Sequence, residues 1–153
     1  MENNVEKICG NVAEIIVSYS AKIKSKDRLK VRSSEDAYRI LHPLFPSLEH
    51  VEYFFMLVLN RTNDVLGFHM VSKGGIAGTV TDIRVIFQIV LKANGSSVIV
   101  AHNHPSGNLQ PSEADIKITK KTKEAGLLLD IALLDHLILT NESYLSMADQ
   151  NLM

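Results

Sequence analysis

The sequence predicts an α/β domain built on a mostly buried sheet, and three observations carry that prediction. Strand-like and helix-like periods alternate through the second half of the chain, the order that lays helices onto a sheet. "EYFFMLVLN" and "SSVIVAH" are continuous apolar runs, so both of their faces are expected to be covered. Hydrophobic residues make up 46% of 153, enough for a sizeable core in a single domain over residues 1–153.

Taken in order, "NVAEIIVSYS" alternates as a first strand, and "KIKSKDRLKVR" reads as a basic, exposed connection. Ser33 or Ser34 caps a helix whose apolar positions Ala37, Ile40 and Leu41 share a face, ending before Pro43. "HPLFPSLEH" is a loop held by Pro43 and Pro46. "EYFFMLVLN", "RTND" and "VLGFHMV" read together as a central hairpin. Gly74, Gly75 and Gly78 mark a flexible or tightly turned stretch. "DIRVIFQIVLKANG" has a helical period, capped by Asp82 and stopped at Asn94-Gly95. After the strand "SSVIVAH" and a loop rich in Pro and Gly, a helix runs from Ser112 to about Ala125, closed by Gly126. "LLLDIALLDHLILT" supplies the last one or two strands.

Bulk properties exclude several functions. The net charge is -1 and the pI about 6.6, so no overall pull towards nucleic acid or an anionic membrane exists. One cysteine, Cys9, leaves no internal disulfide or Cys-based zinc cluster and suits a reducing cytoplasm. The start, "MENNVEKICGN", lacks the regions of a signal peptide, and no stretch approaches the roughly 20 apolar residues of a membrane span. A soluble, cytoplasmic protein is expected.

The chemistry concentrates in "AHNHPSGNLQPSEAD", residues 101–115. On a strand, residues i and i+2 face the same side, so His102 and His104 can present both imidazoles to one point. Pro105 and Gly107 turn the chain, and Ser112 opens a helix with Asp115 in its first turn, where a carboxylate is favoured. Two imidazole nitrogens and a carboxylate oxygen make a three-ligand zinc site with its fourth position open to water. Zinc in such a site lowers the pKa of water to about 7. Spacing alone also fits loop histidines beside an ordinary helix cap.

The full spacing resembles the JAB/MPN metalloprotease signature: His-x-His-Pro, six residues, Ser, two residues, Asp. His102, His104, Pro105, Ser112 and Asp115 fill it without insertion or deletion. "HNHPSG…PSEAD" is similar to the RadC branch, with Asn between the histidines where eukaryotic members carry Ser or Thr. "SSEDAYRIL", "LLDHLIL" and the run from Gly74 to Phe87 extend the resemblance over roughly residues 12 to 148. It implies a mixed sheet flanked by helices, a cytidine-deaminase-like architecture, with Zn2+ held by His102, His104 and Asp115.

It also implies a proton acceptor, a glutamate opening an early strand. Glu52, a charge at the head of the most apolar run, is the first choice, and Glu49 in the preceding loop is the fallback. Ser112 either caps the helix or donates to an oxyanion, the role the resemblance supports; capping by the same side chain would compete. Two departures stand out. RadC-type chains carry a helix-hairpin-helix region for which nothing before residue 12 has room. Where they often show His-Pro-Arg-Glu, this chain has Asp82-Ile83-Arg84-Val85, keeping only the arginine.

Other features take plainer readings. Lys117, Lys120, Lys121 and Lys123 form a solvated helix face, and His136 is a satisfied core or edge histidine. His42, His50 and His69 have no partner spacing, and Tyr53, Phe54 and Phe55 are core. The string "HNH" is contiguous, unlike the dispersed residues of HNH nucleases, and one cysteine cannot supply the Pro-Cys-x-x-Cys of zinc deaminases. The expected function is therefore a zinc-dependent hydrolase cleaving an amide or isopeptide bond in an unknown protein or peptide. The rival is a non-enzymatic DNA-repair or nucleoprotein-associated module. Strong autonomous DNA binding and membrane association are not expected, and oligomeric state is not legible.

Overall fold

The structure, a computed structural model, describes residues 15–74 and 80–153. Five strands form one sheet: β1 (Tyr53–Leu59), β2 (Val65–Lys73), β3 (Ser97–Asn103), β4 (Ala132–Leu139) and β5 (Tyr144–Ser146). Their order across the sheet is β2-β1-β3-β4-β5. β1 is antiparallel to β2 and β3, β3 is parallel to β4, and β5 returns antiparallel on β4. Three helices flank the sheet: α1 (Ser34–Leu41), α2 (Ile83–Lys92) and α3 (Glu113–Leu128). The class is the predicted one, a mixed sheet with helices on it.

Every residue of β1 and β3 is buried, as their unbroken apolar runs require. Alternation divides them between two cores. Tyr53, Phe55, Leu57 and Leu59 join Ile99 and Ala101 against α1, through Ala37 and Leu41, with Phe45 and Leu48. Phe54, Met56 and Val58 join Val98 and Val100 against Ile86, Phe87 and Val90 of α2. Each such side chain contributes roughly 1.5–3 kcal/mol when fully buried, so this two-sided stack anchors the fold. The loop "HPLFPSLEH" belongs to it: a 3-10 turn at His42–Leu44 leads to buried Phe45 and Leu48.

The helix signals act as predicted at most ends. Ser33 is the cap of α1, accepting from Asp36 N at 3.2 Å, while Ser34 Oγ donates to Asp149 at 2.6 Å. Asp82 caps α2 through Arg84 N, and Asn94, at φ 54°, ends the turn after it.

Four expectations need correction. The described part of "NVAEIIVSYS", residues 15–20, forms no strand, and Ile15, Ile16 and Val17 are exposed. Alternation makes a strand only where a sheet edge accepts its backbone, and this segment is tied instead by Tyr19 Oη donating to Leu66 O. The β1–β2 hairpin lies at the sheet edge and not at its centre, because the second side of β1 is taken by β3. α3 runs past Gly126 to Leu128. A Cβ on Gly126 would lie 2.2 Å from Ile131 O, so this glycine serves close packing; Asp130, at φ 55°, makes the reversal. "LLLDIALLDHLILT" therefore gives a helix end and β4 alone, with the last strand beyond it. Of the glycine-rich stretch, Gly74 N donates to Glu52 O at 2.8 Å, whereas Gly75 and Gly78 lie outside the described residues, as does Cys9.

Candidate metal centre

β3 pairs Phe54 with His102, and this register, carried two residues further, sets Glu52 across from His104. The face that carries Phe54, Val98 and Val100 thus ends in His102, His104 and Glu52. At the opposite lip, α3 begins. Ser112 Oγ accepts from Asp115 N at 3.2 Å, and the Asp115 carboxylate accepts from Ser112 N at 2.7 Å, a capping box. Ser-x-x-Asp in the motif is therefore a folding device that also aims a carboxylate at the end of β3.

The three predicted ligands come together. His102 Nε2 lies 3.1 Å from one Asp115 oxygen, His104 Nε2 3.3 Å from the other, and the two nitrogens are 2.9 Å apart. Their donor atoms all fall within 4.8 Å of one another. Ligands about 2.0–2.1 Å from a tetrahedral ion stand roughly 3.3 Å apart, so the edges of this triangle suit one. His102 and Asp115 are buried, and His104 half-buried. An N, N, O set of this kind has the geometry and the chemistry to hold a metal ion.

The electrostatics show the same coupling. Burial would raise Asp115, but the hydrogen bonds from His102 and His104 outweigh it and hold the carboxyl far below its ordinary value. The Asp115 hydrogen bond raises His104, against the opposing effect of burial. His104 Nδ1 is 2.6 Å from the Asn108 carbonyl, which can only accept, so Nδ1 keeps a proton and Nε2 is the nitrogen that can ligate once it gives up the proton it shares with Asp115. Gly107, at φ 81°, turns the chain so that Asn108 can reach back.

Glu52 sits beside this triangle, half-buried in an open cleft that it lines with Phe54, Thr81, Asp115, Lys117 and Lys121. Burial raises its carboxyl, more than the neighbouring histidines lower it. Glu49 is exposed and bonded to Asn141. Ser112 is exposed, and its cap uses Oγ as an acceptor, which leaves the O–H to donate; the two roles read from sequence do not compete.

Several features around the candidate site escaped the sequence reading. His136 is fully buried, as expected of a core histidine, yet its Nε2 lies 2.8 Å from His102 Nδ1. Asn103 was a spacer between histidines; its amide ties β3 to the segment that delivers Glu52. Lys117 and Lys121 are exposed but border the cleft, so the lysine-rich helix face is not wholly an outer one. Arg84, the surviving arginine of the altered segment, is exposed and paired with Asp82 at 2.7 Å.

A family model described as the RadC-like JAB domain matches residues 31–152. Among curated relatives, a UPF0758 protein of Flavobacterium johnsoniae is 47% identical over 123 residues, 80% of this chain and 53% of that one. UPF0758 proteins of Chlorobaculum parvum and Porphyromonas gingivalis are each 36% identical, over 81% and 82% of this chain. Those matches cover 55% and 56% of the relatives, so the chain spans about half the length of the curated relatives it matches.

Proposed function

We propose, from the premise that this chain belongs to the RadC-like JAB domain family, that it is a zinc-dependent hydrolase cleaving an amide or isopeptide bond. One observation carries the reading: a three-ligand set of His102, His104 and Asp115 stands beside a half-buried carboxylate, Glu52, that is itself no member of the set. A scaffold or binding module has no use for that fourth group. Zinc, when bound, would supply Lewis-acid polarisation and water made acidic enough to ionise near neutral pH.

The residues divide the remaining work. Glu52, with its carboxyl raised by burial, takes a proton from the attacking water as the O–C bond forms. It returns that proton to the nitrogen as the C–N bond breaks, so that an amine leaves and a carboxylic acid remains, which loses the second water proton to solvent at neutral pH. Ser112 O–H, unused by its cap, donates to the carbonyl oxygen as negative charge gathers there. The cleft between Glu52 and the start of α3, bordered by Phe54, Ile118, Lys117 and Lys121, receives the peptide.

The substrate we propose is a protein or peptide, handled by the chain as one domain. Among the described residues no helix is long and apolar enough to cross a membrane. The single cysteine fits the cytoplasmic setting we assign. With a net charge of -1, duplex DNA is proposed to bind weakly. The test is elemental analysis of zinc-supplemented protein beside assays on a panel of peptide and isopeptide substrates. About one zinc per chain with hydrolysis is expected. Protein that takes up no zinc overturns the reading.

A further inference from the structure

Thr119 Oγ1 lies 2.6 Å from the backbone carbonyl of Asp115, one turn earlier on α3, and 2.6 Å from His136 Nδ1 on β4. A carbonyl oxygen only accepts, and a hydroxyl has a single hydrogen, so that hydrogen lies in the contact with Asp115 O. Thr119 Oγ1 must then accept from His136, which places a proton on His136 Nδ1. His136 is fully buried, its ring tilted against Phe54 at 5.5 Å between ring centres, and its two nitrogens are taken by Thr119 and His102. Among the described residues no carboxylate bonds its ring to balance a charge, so the ring is neutral and its Nε2 accepts. The partner at 2.8 Å, His102 Nδ1, is therefore the donor.

We infer that Thr119 and His136 are positioning residues that hold the proton of His102 on Nδ1, so that Nε2 presents its lone pair to the metal position. The inference rests on the zinc reading above and deepens it. His104 obtains the same tautomer from a backbone carbonyl in its own loop. His102, inside the sheet, has no loop beside it and draws on a neighbouring strand and a helix. The proton order runs one way, from His102 to His136 to Thr119 to the Asp115 carbonyl, and closes on another proposed ligand. Ligands on β3 and α3 are thereby locked through β4. Partners of this kind are worth roughly 10- to 100-fold in metal affinity.

The test uses the full chain and three substitutions. Thr119→Val keeps the volume and removes the hydroxyl, Thr119→Ser keeps the hydroxyl, and His136→Phe removes the acceptor for His102. Zinc affinity is measured by competition with a chelating dye, and the amide spectrum checks that each variant is folded. Thr119→Val and His136→Phe should weaken zinc roughly 10- to 100-fold, with Thr119→Ser near wild type. Independently, long-range proton–nitrogen spectra of metal-free protein should show His102 protonated on Nδ1 in the wild type and in Thr119→Ser. In Thr119→Val, that tautomer should be lost or mixed. A wild-type His102 protonated on Nε2 with none on Nδ1, or wild-type zinc affinity in folded Thr119→Val, overturns the inference. If wild-type protein takes up no zinc, the hydrolase reading fails, while the tautomer spectra still decide this one.

Discussion

The side-chain carbonyl of Asn103 accepts a hydrogen bond from the backbone N–H of Tyr53 at 2.7 Å, inside the protein. The same amide donates to Leu48 O at 3.2 Å and to Val51 O at 2.9 Å. Because strand residues alternate, Asn103 points away from His102 and His104, into the other core. One residue between two histidines thus clamps the chain on both sides of Glu52. Geometry on the metal face is held from the opposite face.

Asn103→Ala should therefore destabilise the protein well beyond a surface change. It strands one buried donor and two acceptors, each worth about 1–3 kcal/mol when left unsatisfied. Asn103→Asp should do no better, since a carboxylate can accept from Tyr53 but cannot donate to Leu48 or Val51. Urea unfolding of the two variants measures this; wild-type midpoints in both would show that the clamp carries no weight.

Two carboxyl-to-amide changes should separate binding from chemistry. Glu52→Gln preserves the side-chain shape and leaves the three ligands intact, so zinc content should stay near wild type. Hydrolysis should fall by roughly 10²- to 10⁴-fold, the usual worth of a positioned acid/base. Asp115→Asn should instead lose zinc, because an amide replaces the anionic oxygen. Equal zinc loss in both would make Glu52 a ligand or a structural residue.

In the metal-free protein, His136 and His104 should make opposite contributions to stability on the two sides of pH 6.5, the ordinary histidine value. Burial lowers His136 well below that value, so protons bind the unfolded chain first as the pH falls, and stability declines below 6.5. The Asp115 hydrogen bond raises His104, so its contribution is complete below 6.5 and is lost as the pH rises through the raised value. Thermal melts of chelator-treated protein from pH 5 to 9 should show both limbs. His136→Gln should flatten the acid limb and His104→Gln the alkaline one; unchanged limbs would contradict the assignment.

Gly126→Ala tests the packing of α3 on the start of β4. Alanine is favoured by about 0.8–1.0 kcal/mol over glycine inside a helix. Its Cβ would nevertheless lie 2.2 Å from a backbone carbonyl, Ile131 O, which cannot swing aside as a side-chain tip can. Overpacking typically costs 1–3 kcal/mol, so the clash should win, and the melting temperature should drop. A rise would mean that α3 can shift freely.

What the sequence determined by itself was local. His102 and His104 face one way because strand side chains alternate, and Asp115 points back because, as the third residue of α3, it closes a capping box with Ser112. Both relations span three residues or fewer, so their geometry travels with the residue order, and the spacing revealed the candidate ligands. The two apolar runs revealed β1 and β3 for the same reason. Tertiary structure decided the rest. His136 reaches His102 across 34 residues, Asn103 reaches Tyr53 across 50, and Glu52 meets the site through the register of β1 on β3. Such contacts depend on which strands become neighbours and in what register, a choice made by burying both faces of the sheet at once. The failed first strand shows the converse: residues 15–17 are apolar, but no edge of the sheet takes them, and local pattern without a tertiary partner leaves them exposed.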